Sequence, residues 1–138
     1  MNTNQGQINS ANVITLNGGS ILNLTNANTL AGIAFNSIGN NATTPTVGGG
    51  SSTTLTLTGD ISSTPINVAV TPTISGTTLD LNNAAPRNIT VTALNEGNYY
   101  RSALNWGPLN GLTISAVIQN GAITKKGGGV LYLSLIHI

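Results

Sequence analysis

Short runs of alternating apolar and polar residues recur along the chain, with turns rich in Gly and Asn between them. The run from 112 to 118 places four apolar side chains on one face of an extended strand: Leu112, Ile114, Ala116 and Ile118. In the run from 130 to 133 the inward pair is Leu131 and Leu133. Asn120–Gly121 and the glycines at 127–129 separate these runs, because Gly and Asn accept the positive φ of tight corners. No segment has a sustained apolar period of 3.6 residues, so we expect an all-β fold.

The first half of the chain shows the same pattern less regularly. Apolar runs at 13–16 and 21–24 flank Asn17–Gly19, which predicts either a hairpin or the corner of a solenoid. A further run at 53–58 alternates cleanly. The segment 36–52 is rich in Gly, Asn, Thr and Pro and lacks periodicity, so we expect a loop there. Turns recur about every 8 to 12 residues, a spacing that suits a sandwich and a solenoid alike.

Composition excludes several classes of function. Charged residues make up 5% of the chain, and four Lys and Arg residues cannot neutralise the roughly six to ten phosphates of a DNA site. The absence of Cys excludes a disulfide framework, a thiolate metal site and a Cys nucleophile. No apolar run approaches the roughly 18 residues of a membrane helix, so we expect no membrane span and no nucleic-acid partner. The N-terminus has neither the basic nor the apolar region of a secretory signal.

The acidic side chains available for chemistry are Asp60, Asp80 and Glu96. Glycoside hydrolysis needs two carboxylates about 5 to 9.5 Å apart, and the spacing of Asp60 and Asp80 could place them on adjacent coils. Asp60 lies in a turn, however, and Asp80 alternates outward in its strand, which favours ordinary surface carboxylates. A serine triad or a histidine metal site lacks its residues, since His137 is the one His. We therefore predict no catalytic, cofactor-binding or metal site, and no enzymatic activity.

The segment 95–111 concentrates the aromatic residues of the chain. We interpret it as a loop inserted between two strands, with these candidate ligand-binding residues: Tyr99, Tyr100, Arg101 and Trp106. Aromatic faces with a few polar groups suit stacking on a carbohydrate or docking on a host or cell-surface protein. The alternative is that Tyr99 and Trp106 fold back to cover an apolar flank of the core.

The pattern at 112–134 resembles the autotransporter-associated β-strand repeat, also called the passenger-associated transport repeat. The resemblance rests on the run 112–118 and on Lys125, Gly127, Gly129, Leu131, Leu133 and Ser134. A second unit, with Leu79 and Leu81 before a turn and Arg87, Ile89 and Val91 after it, looks like another part of the same repeat. The resemblance extends from 72 to 133, a little under half of the chain.

The resemblance implies a right-handed parallel β-helix, in which short strands stack coil upon coil. It also implies a structural role, as a stalk or adhesin scaffold in the passenger of a bacterial protein that is secreted or displayed at the outer-membrane surface. The implied partner is a C-terminal membrane β-barrel translocator, or another surface anchor, in a longer chain. The alternative is a fragment of a β-helical polysaccharide-active enzyme. We expect these side chains inside: Leu55, Leu57, Leu79, Leu81, Ile89, Val91, Leu112, Ile114, Leu131 and Leu133.

Along the chain we expect three regions. Residues 1–71 form N-terminal solenoid coils with the loop at 36–52, and residues 72–132 form coils of the autotransporter type. Residues 133–138 read LSLIHI, which looks like the translation of a transposon-end sequencing adapter, so we interpret them as a non-native tail on a truncated fragment. Leu133 and Ser134 fit the repeat as well as the adapter. No polar cap follows Leu131, and we expect the exposed end of the stack to self-associate.

Overall fold

The computed structural model of the chain describes residues 6, 8–36, 44–50, 52–65, 70–83, 85–93 and 110–134. These residues form fourteen short strands. None of the described residues belongs to a helix that could cross a membrane. The strands are β1 Val13–Asn17, β2 Ile21–Leu24, β3 Asn28–Leu30, β4 Gly32–Asn36, β5 Thr46–Gly49, β6 Thr54–Leu57, β7 Ile61–Thr64, β8 Thr73–Ile74, β9 Thr78–Asp80, β10 Arg87–Val91, β11 Asn110–Ile114, β12 Val117–Gln119, β13 Ile123–Lys126 and β14 Val130–Leu133.

The strands form three sheets, and all the neighbouring strands run parallel. Sheet A has the order β1-β4-β7-β10-β13, sheet B the order β2-β5-β8-β11-β14, and sheet C the order β3-β6-β9-β12. The chain visits the three sheets in turn, so three consecutive strands make one coil and each strand pairs with its equivalent in the next coil. The arrangement is that of an all-β solenoid, as the sequence predicts, and not that of an antiparallel sandwich.

Coil length varies strongly while strand register is retained. Val13 pairs with Gly32, 19 residues further along the chain. Thr73 pairs with Thr113, 40 residues further along. The additional residues lie at the corners, because the strands themselves are two to five residues long throughout. The same three sheets run through both of the regions expected from the sequence, 1–71 and 72–132.

One apolar core fills the space between the three sheets. Inward side chains alternate with outward ones along each strand, as Leu55 and Leu57 do in β6. The buried members of the core are Leu16, Leu24, Leu30, Ile33, Phe35, Val47, Leu55, Leu57, Ile61, Ile74, Leu79, Leu81, Ile89, Val91, Leu112, Ile114 and Ala116. Leu131 and Leu133 pack against this core but are only half-buried, since β14 is the last strand of sheet B. The expected inward positions are therefore confirmed, the last two only in part.

The run 112–118 is not one strand, as the sequence suggested. β11 ends at Ile114 in sheet B and β12 begins at Val117 in sheet C, with a corner at Ser115–Ala116 between them. The alternation continues through the corner, which is why the sequence pattern looks uninterrupted. Ile118 is half-buried on the edge strand of sheet C.

Two other expectations can be compared with the structure in the first half of the chain. Asn17–Gly19 is a solenoid corner and not a hairpin, because β1 and β2 belong to different sheets. The loop expected at 36–52 is wrong for Thr46–Gly49, which forms β5 between β2 and β8. β5 forms with a single buried apolar residue, Val47, because β2 and β8 pair with its backbone on both sides. Ile8, which precedes the first of the predicted runs, also packs against the core.

Two buried hydroxyl residues stack at equivalent corners of successive coils. The Thr77 hydroxyl donates to the Thr53 carbonyl (2.9 Å), and the two hydroxyl oxygens lie 3.2 Å apart. The Thr53 hydroxyl also donates to the carbonyl of Gly50 (2.6 Å). Each buried hydroxyl therefore has the partner that burial requires.

Glycines let neighbouring coils approach closely at the corners. Gly76 has a φ of +66°, and a Cβ there would lie 2.5 Å from the carbonyl oxygen of Gly49 in the preceding coil. Gly127 has a φ of +76°, and a Cβ there would lie 2.3 Å from the carbonyl oxygen of Val91. Both the backbone conformation and the available space require glycine at these positions.

Candidate functional site

The ligand-binding loop expected at 95–111 lies outside the described residues except for Asn110 and Gly111, which belong to strand β11 and not to a loop. Its four candidates belong to the segment 94–109: Tyr99, Tyr100, Arg101 and Trp106. The structure describes the two strands to which this segment is attached. β10 ends at Val91 in sheet A and β11 begins at Asn110 in sheet B. The segment is therefore attached at the corner between these sheets in the fourth coil.

The point where the chain enters β11 is fixed by close packing around Gly111. The buried hydroxyl of Ser63 donates to the Gly111 carbonyl (2.6 Å). A Cβ at Gly111 would lie 2.5 Å from Cγ1 of Val91 and 3.2 Å from Cγ of Pro65. Glycine is required here by space, and the strand that follows the segment is held in one position on the core.

Asp60 connects the third coil to the fourth. It precedes β7, and its Oδ1 accepts a hydrogen bond from the backbone N–H of Asn88 (2.9 Å). Its Oδ2 accepts a second bond from the side-chain amide of Asn88 (2.8 Å). The side-chain amide and then the backbone N–H of Asn88 hold the pKa of Asp60 below its ordinary value. Partial desolvation raises the pKa and so opposes this effect, whereas the charges of Lys126 and Arg87 lower the pKa further.

Asp80 connects its own coil to the turn that follows β12. Its Oδ1 accepts a hydrogen bond from the backbone N–H of Asn82 (2.7 Å). Its Oδ2 accepts bonds from Nε2 of Gln119 (3.1 Å) and Nδ2 of Asn120 (2.7 Å) in the next coil. The Asn82 N–H first, and then the amides of Asn120 and Gln119, lower the pKa of Asp80 against partial desolvation.

The local backbone explains why Asn surrounds Asp80. Asn82, Asn83 and Asn120 have φ values of 62°, 46° and 54°, in the left-handed region that Asn tolerates better than most residues. Asn83 also donates its backbone N–H to the Asn120 carbonyl (2.7 Å), so the two turns stack directly on each other. The Asp80 carboxylate lies between these stacked turns and accepts hydrogen bonds from both.

The geometry of the two carboxylates suits a bridging role. Both have a lowered pKa and are ionised at neutral pH, whereas a general acid needs a raised pKa. Each oxygen of each carboxylate already accepts a hydrogen bond from an amide. Asp60 and Asp80 both lie at corners between sheets C and A. Among the described residues, the amides that donate to Asp60 are not those that donate to Asp80. Glu96, the third acidic residue, lies outside the described ranges.

A groove of about 530 Å³ lies between the N-terminal segment and the first coil. It is lined by Gly6, Ile8, Asn9 and Ser10 on one side and by Ala27, Asn28, Thr29 and Thr56 on the other. These residues offer hydrogen bonds and a little apolar surface but no ionisable group. The sequence did not single them out, because only the strand register brings the separate segments together.

Within the ranges that the structure describes, no group of three or more His, Asp or Glu side chains could hold a metal ion. Comparisons with protein-family models, with curated protein sequences and with solved structures found no match. The resemblance to the autotransporter repeat therefore stays a prediction that rests on the residues quoted above.

Proposed function

We propose that this chain is a structural segment of a bacterial autotransporter-like protein, secreted or displayed at the outer-membrane surface, where it forms part of a stalk or adhesin scaffold. In this proposal the stack is a right-handed parallel β-helix. The observation that supports it best is the set of three parallel sheets around one core, in which the carboxylates serve as bridges between coils. The partner is a C-terminal membrane β-barrel translocator or another surface anchor.

The residues of the repeat pattern have consistent structural roles, which supports the family assignment. Leu131 and Leu133 lie in register with Leu112 and Ile114, so the two apolar pairs of the pattern stack on one another. Gly127 supplies the positive φ at the corner between β13 and β14. A sequence pattern whose apolar and glycine positions coincide with core and corner positions is typical of a solenoid repeat.

General properties of parallel β-structure support a right-handed winding of the chain and a role as a stalk. Crossovers between parallel strands of one sheet are right-handed in about 98% of known cases. Backbone hydrogen bonds between parallel strands run along the stacking direction, with about 4.8 Å between neighbouring strands. A column of such bonds on three sides resists bending. The lack of Cys also suits a chain that crosses an envelope unfolded, because no disulfide can form during transit.

The loop with Tyr99, Tyr100, Arg101 and Trp106 is our candidate contact for a carbohydrate or a cell-surface protein. Its attachment beside Gly111, on a fixed strand of the core, supports this role, because recognition loops work best on a rigid scaffold. A variant with Tyr99, Tyr100 and Trp106 changed to Ser should lose binding to an array of glycans and cell-surface proteins. Unchanged binding would remove the loop from the proposal.

Surface display tests the proposed function. The chain is fused between a secretion signal and an outer-membrane translocator, and antibody labelling of intact cells measures exposure. We expect labelling together with resistance to protease, whereas the control Leu55→Asp, which places a charge in the core, should be labelled but digested. Protease sensitivity of the unaltered chain would contradict a folded stalk. Release of reducing sugars that Asp60→Asn or Asp80→Asn abolishes would instead support the polysaccharide-active enzyme.

A further inference from the structure

Two successive strands of sheet B follow the same tripeptide. The sequence Thr-Pro-Thr occurs at 44–46 and again at 71–73, and Thr46 pairs with Thr73, 27 residues further along the chain. The hydroxyl of each strand Thr donates to the carbonyl of the Thr two residues earlier, at 3.2 Å in the first coil and 3.1 Å in the second. The local hydrogen bonding is therefore repeated together with the sequence.

The repetition continues through the next corner into sheet C. The two coils differ in spacing at this corner, where Gly49 and Thr53 are four residues apart and Gly76 and Thr77 are adjacent. Strand register resumes in β6 and β9 in spite of this difference. The pairs of identical residues at equivalent positions are Thr44/Thr71, Pro45/Pro72, Thr46/Thr73, Gly49/Gly76, Thr53/Thr77, Thr54/Thr78 and Leu55/Leu79.

These pairs include side chains that the core does not require. The Thr that begins β5 is the same as the Thr that begins β8, and both alternate outward with a buried apolar neighbour. The same holds for the Thr that begins β6 and the Thr that begins β9. In sheet A, by contrast, one outward row reads Ala34, Ser62 and Thr90. Since an apolar core restricts inward residues only, identity at outward positions is the pattern of a tandem duplication.

One complete repeat consists of residues 46–72. It contains β5, β6 and β7, one strand from each sheet. β5 lies between β2 and β8, β6 between β3 and β9, and β7 between β4 and β10. All three strands of the repeat are therefore placed between the same two coils.

We propose that residues 46–72 are a self-contained unit of extension, which the stack can lose or gain without a change of register in any other strand. Loss of the unit brings β8 beside β2, β9 beside β3 and β10 beside β4. Ile33 and Ile89 both pair with Ile61, so they become direct neighbours when the unit is absent. Each unit changes the length of the stack by about 4.8 Å, and thereby sets the distance between the coils on its two sides. This inference does not depend on the proposed function.

Loss of the unit removes two hydrogen-bonded contacts but keeps the core continuous. Asn88 loses the carboxylate of Asp60, and the Gly111 carbonyl loses the hydroxyl of Ser63. Phe35 takes the place of Ser63 beside Val91, because both of them pair with Ser63 in the unaltered chain. We therefore expect the shortened chain to have a lower urea midpoint but still to unfold in one cooperative step.

A disulfide can report whether the two flanking coils meet. Ala34 and Thr90 point outward and both pair with Ser62, so one strand separates them in the unaltered chain. Their Cα atoms are then about 9.6 Å apart, beyond the reach of a disulfide. Without residues 46–72 the separation falls to about 4.8 Å, within that reach. The chain has no Cys of its own, so Ala34→Cys/Thr90→Cys can form one intramolecular bond only.

Deletion of residues 46–72 in the Ala34→Cys/Thr90→Cys background tests the proposal. We expect circular dichroism of a β protein, one cooperative urea transition, and a disulfide after mild oxidation, measured by mass spectrometry. The same Cys pair in the chain of full length should stay reduced, and Ala34→Cys/Ser62→Cys at full length is the positive control. Deletion of residues 46–60 removes β5 and β6 but keeps β7, so it leaves an incomplete coil and should prevent folding.

A lengthened chain provides a second, independent variant. Residues 46–72 are duplicated after Pro72, with Asp60→Asn in the first copy so that two carboxylates do not face each other on neighbouring strands. This chain should fold, and small-angle X-ray scattering should show a longer particle. The proposal is overturned if neither the shortened nor the lengthened chain folds, if the shortened chain folds without the disulfide, or if deletion of 46–60 is tolerated equally well.

Discussion

The carboxylate of Asp80 accepts a 2.7 Å hydrogen bond from the side-chain amide of Asn120, which lies 40 residues later in the chain and one coil further along the stack. Asp60 binds Asn88 in the same way, 28 residues later. In a chain with so few charges, two of the three acidic residues thus join neighbouring coils by charge-assisted bonds to amides. These side-chain bridges supplement the backbone ladders at the corners between sheets C and A.

Replacing Asp80 by Ala should lower the free energy of unfolding by about 1 to 2 kcal/mol at neutral pH, because three amide donors lose a charged acceptor. The exposure of the site keeps the effect modest. Urea denaturation followed by circular dichroism measures it. The control Asp80→Asn keeps the shape and one acceptor oxygen and should lose about half as much. Equal stability of the three proteins would contradict the bridging role.

Stability should fall as the solution becomes acidic. Asp60 and Asp80 have a lowered pKa in the folded state, whereas in the unfolded chain the pKa of Asp is about 3.9. Their contribution to stability is therefore fully present above that value and is lost as the pH falls through the folded-state pKa values. Urea denaturation from neutral pH down to about pH 2 should show a steeper loss for the unaltered chain than for Asp60→Asn/Asp80→Asn. Parallel curves would argue against both bridges.

Adding one methyl group at Gly111 should destabilise the fold by about 1 to 3 kcal/mol, because the new Cβ lies 2.5 Å from Val91 Cγ1. Gly48→Ala is the matched control: it also lies in a strand, and its Cβ would approach nothing more closely than the Ser75 carbonyl at 3.9 Å. We expect the control to be neutral or slightly stabilising. Thermal melting of both variants makes the comparison, and equal melting temperatures would refute the close packing at Gly111.

Truncating core side chains should cost more in the middle of the stack than at its end. Leu55 is fully buried between coils on both sides, so Leu55→Ala should cost about 2 to 5 kcal/mol. Leu131 packs on the core from one side, so Leu131→Ala should cost about 1 to 2 kcal/mol. Urea denaturation gives both values. A larger loss at Leu131 would mean that this end of the stack is covered.

The alternation of apolar residues was sufficient to predict which side chains point inward and that the fold is all-β. Leu79 and Leu81 fall inside as expected, because one residue in two must face the core whatever the sheet. Alternation cannot show where one sheet ends and the next begins. The run 112–118 therefore looked like one strand, although its corner at Ser115–Ala116 divides it between two sheets.

Strand register was not predictable from the sequence, and the bridges depend on it. Corners absorb different numbers of residues, so the partner of a strand residue lies anywhere from 19 to 40 positions away. Asp60 and Asp80 were recognised as surface carboxylates, but their amide partners Asn88 and Asn120 were not. The pairing of Lys125 with the buried Ile89 was not predictable for the same reason, because alternation does not show which strands are neighbours.

The variable coil length has an evolutionary consequence. Each strand is positioned by its equivalents in the neighbouring coils, so a corner can gain or lose residues without shifting any paired strand. Insertions at corners are therefore close to neutral for folding, and selection can act on whatever they expose. A deletion of one residue inside a strand, by contrast, exchanges the core face for the solvent face over the rest of that strand. New specificities should accordingly accumulate at the corners of such a stack, while its strands diverge only by exchange of similar side chains.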